Sequence, residues 1–254
     1  MQTAACSIAR TGRHATLVRQ PCPTRACAVA LLLIGALAPS LRAQAQADSE
    51  LGFTTRVSPA LVSLFAQKFT NSARELLGRW IKFAAEEKSH PFAQRLASAA
   101  GREAGVLQEV NDQLNRIPWL SDQSHWGQAD YWATPAESVA SNGGDCEDYA
   151  IAKYYMLKEL GVPLQRLRIT YVRALTLKDA HMVLAYYARP DAEPLILDNL
   201  DPIIKPASQR TDLIPVYSFN DDEVQLAQGG ARAKPSQIRQ WLSVQERLIA
   251  ESKV

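Results

Sequence analysis

Cysteine is scarce in this chain, and its placement limits what the residue can do. Of the four cysteines in 254 residues, Cys6, Cys22 and Cys27 lie near the N-terminus, and only Cys146 lies in the remainder. If the N-terminal segment is removed, the protein keeps one thiol and cannot form an internal disulfide. Cys146 is then a small buried apolar residue, an intermolecular linker or a reactive group.

A clustered basic face is also missing. The chain has 28 Lys and Arg residues against 26 Asp and Glu, a net charge of +2. Five of those basic residues are arginines within residues 1–45, where no acid occurs, so the rest of the chain has 23 basic and 26 acidic residues and a net charge of −3. This balance argues against nucleic-acid binding. The 47% hydrophobic content is that of an ordinary globular protein.

Residues 1–45 have the pattern of a secretory signal peptide. Four arginines between positions 10 and 25 precede the apolar run ACAVALLLIGALA at 26–38. That run is too short to cross a bilayer of about 30 Å as a stable helix. Small residues suited to cleavage follow at Ala43, Ala45 and Ala47. We expect cleavage and secretion, and an uncleaved anchor is the alternative.

The next segment, residues 46–118, is predicted to form an N-terminal helical lobe. Apolar residues recur at helical spacing from about 58 to 116, which indicates three helices. Residues 119–144 are rich in Trp, Gly, Asp and Ser and have little periodicity, which is typical of a structured loop. Its tryptophans either line a substrate groove or fix the loop to the core.

Residues 119–254 are predicted to form an α+β catalytic core. A helix is expected from Cys146 to about Leu160, with Tyr149 and Lys153 among the residues that mark one face, and Gly161 and Pro163 end it. Extended segments follow near 167–175, 181–189, 195–200, 214–219 and 223–227, then an amphipathic helix at 236–250. The short connections predict an antiparallel sheet.

Cys146 is the candidate nucleophile. At the first turn of a helix, a thiol is exposed to the positive end of the helix dipole and to unpaired N–H groups, which favour the thiolate. The preceding Asn-Gly-Gly at 142–144 permits a tight turn, and the Cys146 N–H would face a developing oxyanion. A buried structural cysteine is the alternative.

A cysteine nucleophile needs a base and a group that orients the base. His181 opens a predicted strand, whereas His90 and His125 lie in polar loops and His14 lies in the signal segment. Asp198 interrupts the apolar LILDNL, and a carboxylate at the end of a buried strand needs a partner, which His181 would supply. A satisfied core histidine and a turn aspartate would explain the same pattern.

Three acids adjoin the cysteine: Asp145, Glu147 and Asp148. Negative charge raises the pKa of a neighbouring thiol, so these groups call for a second explanation. Asp145 and Asp148 could cap the helix in a box-like arrangement. Alternatively the acids bind Ca²⁺, whose charge would restore a positive environment for the thiol.

The segment around Cys146 resembles the bacterial transglutaminase-like cysteine proteinases. The resemblance is carried by WGQADYWATPAESVASNGGDCEDYAIAKYYMLKELGVP at 126–163, by HMVLAYY at 181–187 and by LILDNLDPIIKP at 195–206. Its centre, GDCEDYAIAKY, is long and specific. It spans roughly residues 105 to 225, so the earlier helices are not covered.

The resemblance implies a papain- or transglutaminase-like core with a Cys146, His181 and Asp198 triad. It also implies calcium dependence through Asp145 and Glu147. The implied substrate is the N-terminal region of a large surface adhesin, cut between paired alanines, which promotes biofilm dispersal. The implied partner is an inner-membrane cyclic-di-GMP receptor whose periplasmic domain sequesters the enzyme.

Other functions remain compatible with the residues. The same triad serves acyl transfer if an amine outcompetes water. A secreted cysteine and histidine pair also occurs in cell-wall peptidases, and a non-catalytic calcium-binding envelope module is a further alternative.

Overall fold

The computed structural model describes residues 57–89, 101–177, 179–227 and 232–254, which belong to one compact unit of the chain. The predicted signal peptide and His90 lie outside these residues. Within them there are seven α-helices: α1 (Pro59–Lys68), α2 (Ala73–Ser89), α3 (Gly101–Leu114), α4 (Asp122–His125), α5 (Pro135–Ser141), α6 (Cys146–Glu159) and α7 (Arg239–Glu251). None of these helices has the length and apolar character needed to span a bilayer.

The three helices predicted between 58 and 116 are present as α1, α2 and α3. Helix α1 begins where expected, because Ser58 accepts a hydrogen bond from the Leu61 N–H at 3.0 Å and Pro59 occupies the first helical position. The buried apolar residues of all three helices belong to the same hydrophobic cluster as those of α6. The boundary between a lobe at 46–118 and a core at 119–254 stays a prediction.

The sheet is antiparallel, as the short connections predict. Its seven strands are β1 (Leu167–Ala174), β2 (Asp179–Tyr186), β3 (Leu195–Leu197), β4 (Lys205–Pro206), β5 (Leu213–Phe219), β6 (Val224–Leu226) and β7 (Arg232–Ala233). They lie in the order β4-β3-β2-β1-β5-β6-β7. Strands β4 and β7 are absent from the prediction because two residues carry no alternation pattern.

Helix α6 packs on β2 and lies at the centre of the protein. The prediction of one buried face is wrong, because nearly every residue from Glu147 to Glu159 is buried. Helices α3 and α5, strands β1 and β2, and Trp241 of α7 pack against it, so almost no surface of α6 is left to the solvent. Helix α7 is amphipathic as predicted and buries Trp241, Val244 and Leu248.

Residues 119–144 fold into two short helices rather than a loop without helices. Helix α5 begins with a capping box in which Thr134 and Glu137 each accept from the other's backbone N–H, at 3.1 and 3.0 Å. The spacing Thr-Pro-x-Glu carries that signal in the sequence. Trp132 stacks on Phe219 and fixes the segment to the sheet, whereas Trp119 is 60% exposed.

Candidate active site

Cys146 is the first residue of α6, and the chain before it is closely packed. Asn142 ends α5 with a left-handed φ of 56°. A Cβ on Gly143 would lie 2.5 Å from Leu120 Cδ1, and a Cβ on Gly144 would lie 2.7 Å from Asp148 Oδ2. Neither glycine has a positive φ, so close approach of these side chains, and not turn conformation, favours glycine at both positions.

The predicted His181 and Asp198 pair is present. His181 lies on β2 and Asp198 directly follows β3, where the two strands run side by side. His181 Nε2 and Asp198 Oδ1 are 2.7 Å apart, and the two residues are 2% and 1% exposed. Asp198 accepts this bond from Nε2–H, which leaves Nδ1 as the ring's unprotonated nitrogen when His181 is neutral.

Further donors keep Asp198 ionised. The Leu200 N–H donates to Oδ1 at 3.0 Å, and Arg210 Nη2 donates to Oδ2 at 2.7 Å. Burial raises the pKa of Asp198, but the hydrogen bonds from His181, the Leu200 N–H and Arg210 outweigh it and lower the pKa to about 2. The carboxylate is thus charged throughout the physiological pH range.

Cys146 and His181 line the same cavity of about 400 Å³. Its walls include Glu147 and the rings of Tyr171 and Tyr217, which stack with centroids 5.0 Å apart. Strand β2 supplies His181 and Met182 to the same lining. The nucleophile and base predicted from the sequence therefore share one water-accessible space, with Asp198 behind the base.

The thiol is not in the state expected from the helix dipole alone. Cys146 Sγ donates to Glu147 Oε2 at 3.1 Å. Burial raises the pKa of the Cys146 thiol, and the charges of Glu147 and Asp145 raise it further, while the Met182 N–H lowers it slightly. Burial and the neighbouring acids therefore both favour the protonated thiol.

Five carboxylates surround the cysteine: Asp122, Asp130, Asp145, Glu147 and Asp148. Their oxygens form groups of three within 4.8 Å of one another, such as Asp122, Asp145 and Asp148. Asp145 and Glu147 are residues that the sequence pointed to. Asp122 and Asp130 were missed, because they come from α4 and the loop after it and only folding brings them near Cys146.

Asp148 has a structural role at the start of α6. The Asp145 N–H donates to Asp148 Oδ2 at 3.3 Å, and the Ala133 N–H donates to Oδ1 at 2.7 Å. The capping explanation therefore holds for Asp148. Asp145 is the N-cap residue and forms the predicted capping box with Asp148, but capping leaves its Oδ1 buried with no hydrogen-bond partner among the described residues.

The carboxylate cluster fits a hard cation bound by oxygen ligands. Burial and neighbouring acids raise the pKa of Asp145 to about 8, and burial is also the main cause that raises the pKa of Asp122 to about 6. Asp122 Oδ1, like Asp145 Oδ1, is a buried acceptor without a partner among the described residues. Such oxygens are the ligands that calcium prefers.

His125 does not belong to the site chemistry. Its Nε2 lies 2.8 Å from Ser141 Oγ, and its ring packs against Trp126 with centroids 4.5 Å apart. Burial lowers its pKa. Its ring lies against Gly143, in the space that a Cβ there would need.

Comparison with known proteins decides the family. The family model for the bacterial transglutaminase-like cysteine proteinases matches residues 79–219, more than half of the chain. Three structures of Legionella pneumophila LapG are similar to this chain: one EGTA-treated, one calcium-bound and one described simply as LapG. Their sequences are 35–36% identical to this chain, and the TM-scores are 0.60–0.62. They cover 76% of this chain and 98–99% of theirs. None of the curated proteins compared with the chain matches it significantly.

The chain belongs to the bacterial transglutaminase-like cysteine proteinases. This bacterial transglutaminase-like cysteine proteinase has the α+β architecture expected from its sequence, and its activity is that of a cysteine protease. Cys146 is the one cysteine among its described residues. The matched segment also contains His181 and Asp198. Family membership therefore decides against a non-catalytic envelope module.

Proposed function

We propose that this proteinase is a calcium-dependent periplasmic enzyme that cuts the N-terminal region of a large surface adhesin and thereby promotes biofilm dispersal. The supporting observation is the similarity to LapG over 98–99% of the length of those chains, with a calcium-bound form among them. The carboxylates that contact the thiol are the second support. Cleavage between paired alanines follows from the family resemblance.

The proposed triad has Cys146 as nucleophile, His181 as base and Asp198 as orienting acid. His181 Nδ1 takes the thiol proton, and the thiolate attacks the scissile carbonyl carbon to form a tetrahedral oxyanion near the Cys146 N–H. His181 then gives that proton to the leaving amine, and a thioester remains. Water attacks the thioester with His181 as base, and release of the acid restores the thiol.

Calcium is proposed to bind Asp145 and Glu147, together with Asp122 and Asp130. When bound, the ion would supply positive charge beside Cys146 and favour its thiolate. Asp145 and Asp122 each have a buried oxygen available. Glu147 faces the cavity, where it now accepts from the thiol.

Export and control are proposed from the sequence. Residues 1–45 would direct the protein to the periplasm and be removed. There an inner-membrane cyclic-di-GMP receptor would sequester the enzyme through its periplasmic domain. Cell fractionation with and without residues 1–45 tests the export step, because loss of the segment should retain the protein in the cytoplasm.

Cleavage of an adhesin N-terminal fragment tests the proposal most directly. Wild type should cut a fragment with an Ala-Ala site in calcium, and chelator or Cys146→Ala should abolish cutting while circular dichroism stays unchanged. The matched control is the same fragment with Arg-Arg in place of Ala-Ala.

Other outcomes point to other functions. Cutting by Cys146→Ala would reject the nucleophile, and cutting in excess chelator would reject the calcium requirement. Well-folded protein that leaves the fragment intact would overturn the adhesin substrate. Digestion of peptidoglycan, or incorporation of a fluorescent amine, would then identify a wall peptidase or an acyl transferase.

A further inference from the structure

Asp198, the acid of the proposed triad, accepts a hydrogen bond from an arginine, Arg210, that does not line the active-site cavity. Arg210 is 4% exposed and follows a short 3-10 helix at Ala207–Gln209, between β4 and β5. Its Nη2 donates to Asp198 Oδ2 at 2.7 Å. The other oxygen of Asp198 faces His181 and the Leu200 N–H. Each oxygen of the carboxylate thus has its own donors, which fixes its plane.

A second acid fixes the arginine in turn. Arg210 Nε donates to Asp212 Oδ1 at 3.0 Å, and Nη2 donates to Asp212 Oδ2 at 2.9 Å. This is a bidentate pair, the geometry that positions a guanidinium most firmly. Asp212 lies next to β5, so the chain from Asp198 to Arg210 to Asp212 links the loop after β3 to the strand on the far side of β1.

The charges of this group favour a role in catalysis. Asp198, Arg210 and Asp212 together carry −1, which a protonated His181 would bring to zero. The buried Lys153 of α6 also interacts with Asp198, but burial lowers the pKa of Lys153 to about 7, so it supplies only part of a positive charge at neutral pH. Without Arg210 the two acids would carry −2, and the buried Asp198 would tend to bind a proton. A protonated Asp198 no longer accepts freely from His181 Nε2–H, so the ring would lose its fixed tautomer.

Stability alone does not explain the arginine. A buried ion pair is costly to desolvate and often adds little to the free energy of unfolding. Arg210 Nη1 is buried and has no partner among the described residues, which adds to that cost. An apolar residue in place of Arg210 would avoid the cost of desolvating the ion pair and the cost of the unpartnered Nη1, but it would leave Asp198 Oδ2 without a donor.

We propose that Arg210 is a positioning residue for the reaction: it keeps Asp198 ionised and aimed at His181, and so fixes the ring with Nδ1 toward Cys146. The proposal rests on the proposed triad. It predicts that Arg210 acts only through Asp198. Loss of a residue that orients a metal ligand typically lowers activity about 10- to 100-fold, and we expect a loss of similar size for a residue that orients the acid of a triad.

The first test reads the ring of His181 and needs no substrate. In wild type labelled with ¹⁵N-histidine, the shifts should show Nε2 protonated and Nδ1 bare at neutral pH, with the signal assigned by His181→Gln. In Arg210→Gln a mixture of tautomers is expected, and Arg210→Lys, which keeps the charge but cannot pair bidentately with Asp212, should restore the wild-type pattern only in part. Arg168→Gln is the matched control, because Arg168 pairs with Glu223 outside the active-site cavity. A wild-type ring pattern in Arg210→Gln would overturn the proposal.

The second test uses cleavage kinetics. Arg210→Gln should lower kcat about 10- to 100-fold with little change in KM. It should also shift the acid limb of the pH profile upward, because the pKa of Asp198 rises. In an Asp198→Asn background the same change should have almost no further effect. An equal loss in both backgrounds would show that Arg210 acts independently of Asp198 and would reject the proposal.

If Arg210→Gln does not fold, the variant Asp212→Asn provides the test instead. It loosens the arginine and should shift the ring signals and the acid limb in the same direction, by a smaller amount. Unchanged signals in Asp212→Asn would then count against the proposal. An error in the proposed triad can be recognised separately. If Cys146 is not the nucleophile, Cys146→Ala will still cut the fragment, whatever the Arg210 variants do.

Discussion

At the scale of single residues, Glu251 shows how the fold changes the pKa of a carboxyl group outside the active site. This carboxyl is 8% exposed near the end of α7, and the Thr134 hydroxyl donates to its Oε1 at 2.5 Å. Burial raises its pKa to about 7, against the opposing effect of the Thr134 bond, and the charge of Glu137 raises it further. The folded protein therefore holds a proton here that the unfolded chain has already released.

The sign of the pH dependence follows. Between the ordinary pKa near 4.5 and about 7, the folded state binds more protons, so its stability falls as pH rises through this window. Glu251→Gln keeps an acceptor for Thr134 and removes the titration. We expect it to raise the free energy of unfolding by about 1 to 3 kcal/mol at pH 8. At pH 4 the gain should disappear.

Urea unfolding at both pH values checks this, with the exposed Glu246→Gln of the same helix as control. A gain of equal size at pH 4 and pH 8 would mean that the benefit comes from packing and not from removal of a charge.

The sequence indicates residues of the site where they break a pattern. Cys146 is found because it begins a helix after two glycines, and Asp198 because it interrupts an apolar strand. Asp130 and Arg210 lie in connecting segments and Asp122 begins the four-residue helix α4, where polar residues are expected and break no pattern. Their neighbours come from distant parts of the chain, so only the folded structure reveals them.

At the scale of elements, the start of α6 depends on a glycine. The Cβ of an alanine at position 144 would lie 2.7 Å from Asp148 Oδ2 and 2.8 Å from Asp148 Cβ. Asp148 is 2% exposed and is fixed by the Ala133 N–H, so it has no room to retreat. The first turn of α6 would have to shift, and Cys146 with it.

Gly144→Ala is therefore expected to impair both stability and activity. The free energy of unfolding should fall by about 1 to 3 kcal/mol, as for other overpacked sites. Cleavage should fall on the order of 100-fold, because a displacement near 1 Å at the reacting group has that effect.

Gly105→Ala in α3 is the matched control, since its Cβ would meet open space. It should be neutral or slightly stabilising, as alanine favours helix. Wild-type cleavage by Gly144→Ala would show that the turn before Cys146 can relax without moving the thiol.

Predictable elements are those with a local signal. Helix α6 ends one residue before the predicted Leu160, because Gly161 adopts φ 88° and stops it. Strand β1 was placed to within one residue by its apolar run. The pairing partners of β1 could not be predicted in the same way, because β1 pairs with β2 and also with β5, about 40 residues away. Such a pairing is decided by packing of the whole sheet and leaves no mark in local periodicity.

At the scale of the whole molecule, the carboxylate cluster joins three separate parts of the chain. Asp122 comes from α4, Asp130 from the loop before α5, and Asp145 and Glu147 from the start of α6. A cation bound by all of them would tie these segments together in the folded state only. By linkage, binding then raises the free energy of unfolding.

Calcium at about 100 times its Kd should stabilise the protein by about 2.7 kcal/mol. For a chain of this size that corresponds to a rise in Tm of about 5 to 10 °C, and EGTA should reverse it. Asp122→Asn should abolish the rise, because it removes one charge of the cluster and retains an acceptor for the Tyr131 N–H, now 2.5 Å from Asp122 Oδ2. The measurement is a thermal melt by circular dichroism with calcium, magnesium or chelator.

Asp221→Asn separates cluster binding from a general response to carboxylate loss. Asp221 pairs with Lys158 at 2.5 Å and lies outside the cluster, so this variant should melt earlier but keep the full calcium response. If Asp221→Asn and Asp122→Asn lose the response equally, calcium is acting on the overall charge of the protein. If neither wild type nor variants respond, the five acids beside Cys146 hold protons in place of a cation, and the thiolate must form by His181 alone.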